Sequence, residues 1–188
     1  MLALAVALVM MQGTSRDVPE TCDIRAGVIT DSAIGPFRVG ESVTALRRRC
    51  PFVRDTAYWV QSEFQDTVHA LVSAVRGVPV LIYYQDDKVE TVSVRHPGLA
   101  TRDGIRVGSS IARFRSMRGV EVSVSDYGPG VTLTVAAHCG LFFDLSGWGQ
   151  ALPQTADEPL RVLHRELDAW PSAIEVIGIS VVSGLCKR

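Results

Sequence analysis

The chain has 188 residues, a hydrophobic fraction of 47%, a charged fraction of 21% and a formal net charge of −1. That is globular composition with enough apolar side chains for one domain or two small ones, and it excludes a disordered chain. A charge so near zero gives no long-range pull towards nucleic acid or an anionic membrane surface.

The N-terminus opens on an unbroken apolar run, Leu2 to Met11, followed by polar Gln12-Gly13-Thr14-Ser15. The run is too short to span a bilayer, which needs roughly 20 apolar residues in a helix. Its length suits the core of a secretory signal peptide, and residues 1–15 are expected to be one, although no Lys or Arg precedes the run. The competing reading is a buried N-terminal helix. Cys22 follows Pro-Glu-Thr and not a lipoprotein cleavage box, so no lipid anchor is expected. Residues 16–34 form a lead-in, with a short edge strand anticipated between Ala26 and Thr30.

The four cysteines, Cys22, Cys50, Cys139 and Cys186, are widely spaced and contain no C-x-x-C. They suit an oxidising compartment better than zinc or redox chemistry. Three pairings are possible. One bridge in each half, Cys22–Cys50 and Cys139–Cys186, is the favoured set, each worth roughly 3 kcal/mol.

Next in chain order comes a segment that occurs twice. Residues 37–46 read Phe-Arg-Val-Gly-Glu-Ser-Val-Thr-Ala-Leu and residues 105–114 read Ile-Arg-Val-Gly-Ser-Ser-Ile-Ala-Arg-Phe. Four of ten positions are identical and three more exchange one apolar residue for another. In each, an extended piece reaches a glycine, a serine follows in position to cap a helix, and apolar pairs recur at i and i+3. The spacing predicts two short helices, the first ending before Pro51 and the second near Gly119.

Strands are expected after each helix. The first set is Thr67–Val75, Val80–Tyr84 and Val89–Val94, with Gln85-Asp86-Asp87-Lys88 as a hairpin turn. The second is Val131–Ala137, Gly140–Leu145 and Ile174–Val182, and Val120–Val124 also alternates like a strand. Between the last two, Asp157 to Ala169 has a helical stripe of Leu160, Leu163 and Leu167, stopped by Pro171. The expected fold class is therefore α+β. It would have two related modules, 35–98 and 99–188, each a short helix packed on an antiparallel β-meander.

The glycine-serine-helix segment followed by a meander resembles the small envelope modules of the BamE (SmpA/OmlA) type. Two such units in tandem, each with a disulfide, resemble beta-lactamase-inhibitory-protein-like modules. The resemblance implies a curved sheet presenting a concave face to a protein partner, with Phe52–Phe64 supplying a second helix in the first copy. No functional residue carries over by motif.

Chemistry is sparse. His69, His96, His138 and His164 fall in no metal-ligand spacing, and neither a metal nor a cofactor is expected. His138 and Cys139 are neighbours and cannot easily grip one ion. No G-x-S-x-G is present. Asp86, Asp87 and Asp126 sit in turn sequences and read as backbone-bonding residues. Arg47, Arg48, Arg49 and Arg54, with Arg113, Arg115 and Arg118, read either as an anion site in both copies or as solvated helix faces; the second is the ordinary pattern.

Aromatics are the better signal. Tyr83/Tyr84 and Phe142/Phe143 alternate across strands, so one of each pair should reach an uncovered sheet face, and Tyr58, Trp59 and Trp148 extend the set; the competing reading, of equal weight, is that these rings fill the core. The function expected is an exported, non-enzymatic binding module, secreted or periplasmic, recognising a protein or cell-envelope partner through Tyr83, Phe143 and Trp148. One rival is a small secreted hydrolase with His138 or His164 as base and Ser146 as nucleophile. Another is a structural envelope assembly factor.

Overall fold

In a computed structural model the described residues are 22, 24, 28–50, 53–59, 67–75, 78–124, 131–146, 162–163, 167–168 and 170–186. The apolar N-terminal run and Trp148 lie outside them, as does His164.

A small sheet comes first: β1 (Ile29–Thr30), β2 (Ala33–Ile34) and β3 (Phe37–Arg38), in that order and antiparallel. The helix α1 (Val43–Arg49) follows; the Ser42 side chain accepts from the Ala45 amide at its start. The main sheet takes β4 (Arg54–Trp59), β5 (Thr67–Val75), β6 (Val78–Gln85) and β7 (Lys88–Val94) from the first half. From the second it takes β8 (Val120–Val124), β9 (Val131–Val135), β10 (Leu141–Leu145), β11 (Val162–Leu163) and β12 (Val176–Val182). Its order is β11-β8-β9-β10-β12-β7-β6-β5-β4, with every neighbouring pair antiparallel.

The main-sheet strand expectations hold within a residue or two at each end; of the edge strand expected between Ala26 and Thr30, Ile29–Thr30 forms, and residues 26–27 lie outside the described residues. The hairpin turn, whose Asp86 and Asp87 both have positive φ (48° and 62°), and the helix stop before Pro51 hold too. Both central turn residues lie in the left-handed region, the geometry that matches strand twist in a two-residue hairpin. The two expected disulfides also form, Cys22–Cys50 and Cys139–Cys186.

The α+β expectation is overturned. The protein is mostly β, with one α-helix among the described residues and sheets of three and nine strands, not two helix-on-sheet modules. Three local outcomes account for this. Ile111–Phe114 closes as a 3-10 turn: Arg113 N–H bonds to the Ser110 carbonyl and Arg115 N–H to that of Ala112. A four-residue piece cannot recover the entropy of nucleating an α-helix, and the tighter i→i+3 turn serves instead. Arg54–Trp59, inside the region offered for a second helix, is edge strand β4. In the expected 157–169 helix, Val162 and Leu163 pair with Val122 and Glu121 of β8, because an open sheet edge offers backbone partners that a short solvated helix does not. Residues 167–168 form a short 3-10 turn and the rest of that segment lies outside the described residues.

The two similar segments nevertheless occupy matching places. Gly40 and Gly108 have φ of 80° and 88°, which favours glycine. The Gly40 amide donates to the Val89 carbonyl (2.6 Å) and the Gly108 amide to that of Val176 (2.7 Å). In return the Val89 amide bonds to the Glu41 carbonyl and the Val176 amide to that of Ser109. Each segment thus clasps the first residues of one of the two central strands, β7 and β12. The strands fanning out from that pair also correspond, β6 with β10, β5 with β9 and β4 with β8. Even the irregularities match, between Tyr83 and Tyr84 in one half and between Asp144 and Leu145 in the other.

β7 and β12 pair antiparallel with Ser93 opposite Ser180. The offset relating Val89 to Val176 also relates Ser93 to Ser180, so a pseudo-twofold axis passes between these serines. Their hydroxyls meet there at 2.8 Å.

One face of the main sheet is covered. Val80, Ile82, Val92, Val94, Leu133, Leu141, Phe143, Ile179 and Val181 pack beneath Ile29, Ile34, Phe37, Leu46, Leu99, Ile111 and Phe114 of the small sheet, α1 and the intervening loops. The helix is pinned from the β6–β7 turn: the Asp87 carboxylate accepts from the hydroxyls of Ser42 and Thr44 and from the Thr44 amide. These bonds, the Ser42 one foremost, hold the Asp87 carboxyl below its ordinary range.

Candidate functional site

Strand alternation sends the other half of the side chains to the opposite face. Register fixes a row across it: Arg54, Val72, Leu81, Ser93, Ser180 and Phe142. A parallel row holds Thr56, Ala70, Tyr83, Thr91 and Val182. Val72, Leu81, Tyr83, Phe142 and Val182 are half-buried. Leu81 and Phe142 flank the serine pair on either side, related by the pseudo-twofold. The centre of this face is therefore apolar, studded with hydroxyls.

Tyr83, one of the residues singled out for partner binding, stands on this face. Phe143 does not. It is fully buried on the covered face with its ring 5.2 Å from that of Phe114, edge to face, so its partner-binding assignment is corrected to a core role. The neighbouring Phe142 takes the open position. Sequence alternation correctly says that one of the two rings faces out but not which one; that depends on which face the N-terminal elements cover. Trp148 lies outside the described residues, and Tyr58 and Trp59 are placed only as backbone of β4.

Asp144 is the open face's most unusual polar group. It sits opposite Thr132 of β9 and Gly178 of β12. Burial raises its carboxyl above the ordinary range; Arg95 and a Thr132 hydrogen bond pull the other way without prevailing. A raised carboxyl makes the charged form a burden on the fold above the folded-state value, and that burden vanishes below the unfolded value of about 3.9. Asp144→Asn is therefore expected to raise the thermal midpoint at pH 7 by a few degrees, the gain shrinking to nothing as pH falls towards 3. Calorimetry across that range checks it; a midpoint lowered at pH 7 contradicts the burial argument.

The histidine expected as a possible base is committed elsewhere. His138, just after β9, has Nε2 3.1 Å from Asp103 and Nδ1 3.6 Å from Asp31. Burial opposes the Asp103 charge, but hydrogen bonds from the Thr101 hydroxyl and His138 prevail and lower its carboxyl. The imidazole thus ties the β1–β2 turn to the 101–104 loop. Ser146 stands at the far end of β10, roughly 20 Å away along the strand. Its hydroxyl accepts from the Glu175 amide at 2.9 Å.

The arginines cross-brace the covering layer. Arg47 pairs with Asp55, and Arg49 with Glu41 at 2.8 Å and the Pro36 carbonyl at 2.8 Å. Arg113 reaches the Asp103 carbonyl, and Arg115 the carbonyls of Leu167 and Trp170. Among the described residues the one cluster with metal-ligand proximity is Asp31 with Cys139 and Cys186, and those two sulfurs are joined as a disulfide. No helix among the described residues is long and apolar enough to cross a membrane.

No protein-family model matches the chain and no curated protein matches it. A solved structure does: the uncharacterised protein yfeY from Escherichia coli, with a TM-score of 0.55 and 12% identity. The match covers 82% of this chain and 99% of that one. At that identity the likeness is one of fold.

Proposed function

We propose that this chain is an exported, non-enzymatic binding module, built from two diverged copies of one unit, that engages a protein or cell-envelope partner through the open face of its main sheet. The observation that carries the reading is a nine-stranded antiparallel sheet with its apolar core on one face and half-buried Leu81, Tyr83 and Phe142 across the other. Aromatic and aliphatic side chains of that kind, ringed by hydroxyls, are the usual anchors of a partner interface. The matched contacts of the two similar segments support the duplication. Two disulfides and the apolar N-terminal run support export to the periplasm or beyond.

Site-specific photo-cross-linking in cells of the native source tests this. A benzophenone side chain at position 83 or 142 is expected to give one discrete adduct, and the same group at exposed position 48, on α1, none. Adducts from 48 with none from 83 or 142 would place the interface on the covered side and end the proposal.

A further inference from the structure

The open face carries charge of opposite sign in its two halves. Away from turns and bulges, the charged residues that strand pairing places on it among the described residues are Arg54, Arg95, Asp144 and Glu121. In the row through Ser93 and Ser180, Arg54 stands on β4 and Glu121 on β8, equivalent places under the pseudo-twofold, and both are exposed. Nearer the centre, Arg95, which follows β7, and Asp144 of β10 lie on either side of Gly178. Both cations belong to the first half and both anions to the second. Half-buried Leu81 and Phe142 lie between, one in each half.

We infer that the partner of this face is a second copy of the chain, stacked face to face about a twofold axis running along the strands. This rests on the open-face reading above and names its partner. Rotation about that axis reverses the strand order, so the cationic half of one copy meets the anionic half of the other. Arg54 then lies over Glu121 of the second copy at both ends of the contact, and Leu81 lies over Phe142 of the second copy beside the serines. A twofold running across the strands would set like charge over like and is disfavoured. Stacked sheets sit about 10 Å apart, a gap that an arginine and a glutamate reaching from opposite sides can close. With strands about 4.8 Å apart and about 3.3 Å per residue, nine strands of about five residues offer about 650 Å² per copy, close to the roughly 800 Å² a side of a stable complex. Closed twofold pairs of this self-complementary kind are the commonest assemblies of soluble proteins.

Sedimentation equilibrium of the full, disulfide-bonded protein, read from low micromolar to millimolar concentration, tests this. Within one copy Arg54 and Glu121 are seven strand spacings apart, about 34 Å and far beyond the Debye length of about 8–10 Å, so coupling between them reports a contact between copies. The parent is expected to dimerise, and added salt to weaken the dimer. Arg54→Glu and Glu121→Arg, both at exposed positions, should each lower the dimer affinity about tenfold. An equimolar mixture of the two variants should recover the parent affinity, because every facing pair is again of opposite sign. Circular dichroism verifies that each variant keeps the fold. A dimer indifferent to both variants, or a mixture that gains nothing over either alone, overturns the inference. So does a parent that stays monomeric throughout. Cross-linking then separates the two readings: a discrete adduct with a different protein from position 83 or 142 leaves the open face standing as an interface, and no adduct from either ends both.

Discussion

Gly140→Ala is expected to be among the most damaging single substitutions in the chain. The added Cβ would lie 2.0 Å from the Asp31 carbonyl oxygen and 2.9 Å from its carbonyl carbon. Both are backbone atoms, so no side-chain rotation relieves the clash. The β1–β2 turn must lift off the start of β10, and with it goes the His138 contact to Asp31. Overpacking of this severity costs about 3 kcal/mol, a fall of roughly 6–12 °C in the thermal midpoint for a chain of this length. Gly108→Ala is the comparison: nothing lies within 4 Å of its added Cβ, and only its φ of 88° resists a side chain. That cost is about 1 kcal/mol. Urea denaturation with the disulfides intact measures both, and equal losses in the two variants would show that the docking of the turn against Gly140 has been misjudged.

Phe143→Ala and Tyr83→Ala separate the core from the open face. Phe143 is fully buried against Phe114 and the central strands, so its truncation leaves a cavity and is expected to cost about 3–5 kcal/mol. Tyr83 is half-buried on the other face and should cost about 1 kcal/mol, typical of a partly exposed position. The same denaturation experiment reads both. A Tyr83→Ala loss as large as that of Phe143→Ala would mean that the face taken as open is itself a packed layer. The pair also guards any binding measurement: loss of partner capture in Phe143→Ala reports unfolding, whereas the same loss in Tyr83→Ala with the fold intact reports the interface.

Much of the strand framework was legible in the sequence because each strand has a covered face, and period-two alternation in Val120–Val124 and Val131–Val135 records that directly. The glycine-serine segments were legible for a related reason. A positive-φ glycine and a capping serine are local requirements, satisfied within a few residues, and the structure uses both as the residues suggest. The helices were over-read. Apolar pairs at i and i+3 fit a 3-10 turn as well as an α-helix, and the stripe at Leu160, Leu163 and Leu167 says nothing of the open β8 edge that Val162 and Leu163 go on to pair with. Of the candidate site, alternation said that one of Tyr83 and Tyr84 faces out, and the register of the folded sheet makes it Tyr83. Asp144 was missed because nothing adjacent to it in sequence announces that Gly178 and Arg95 lie beside it.

Sequence alone determined where strands run, where the chain turns and that two short segments share one local job, while the cysteine pairing it favoured among three was decided by the structure. The first three are near-neighbour matters of backbone angle, capping and alternation. Only the tertiary structure decided that β7 and β12 lie side by side, that Phe143 points in while Phe142 points out, and that His138 is held between two aspartates. Each of these depends on pairing between strands far apart in the chain and on which face the N-terminal layer happens to cover. No periodicity within a single segment encodes that choice.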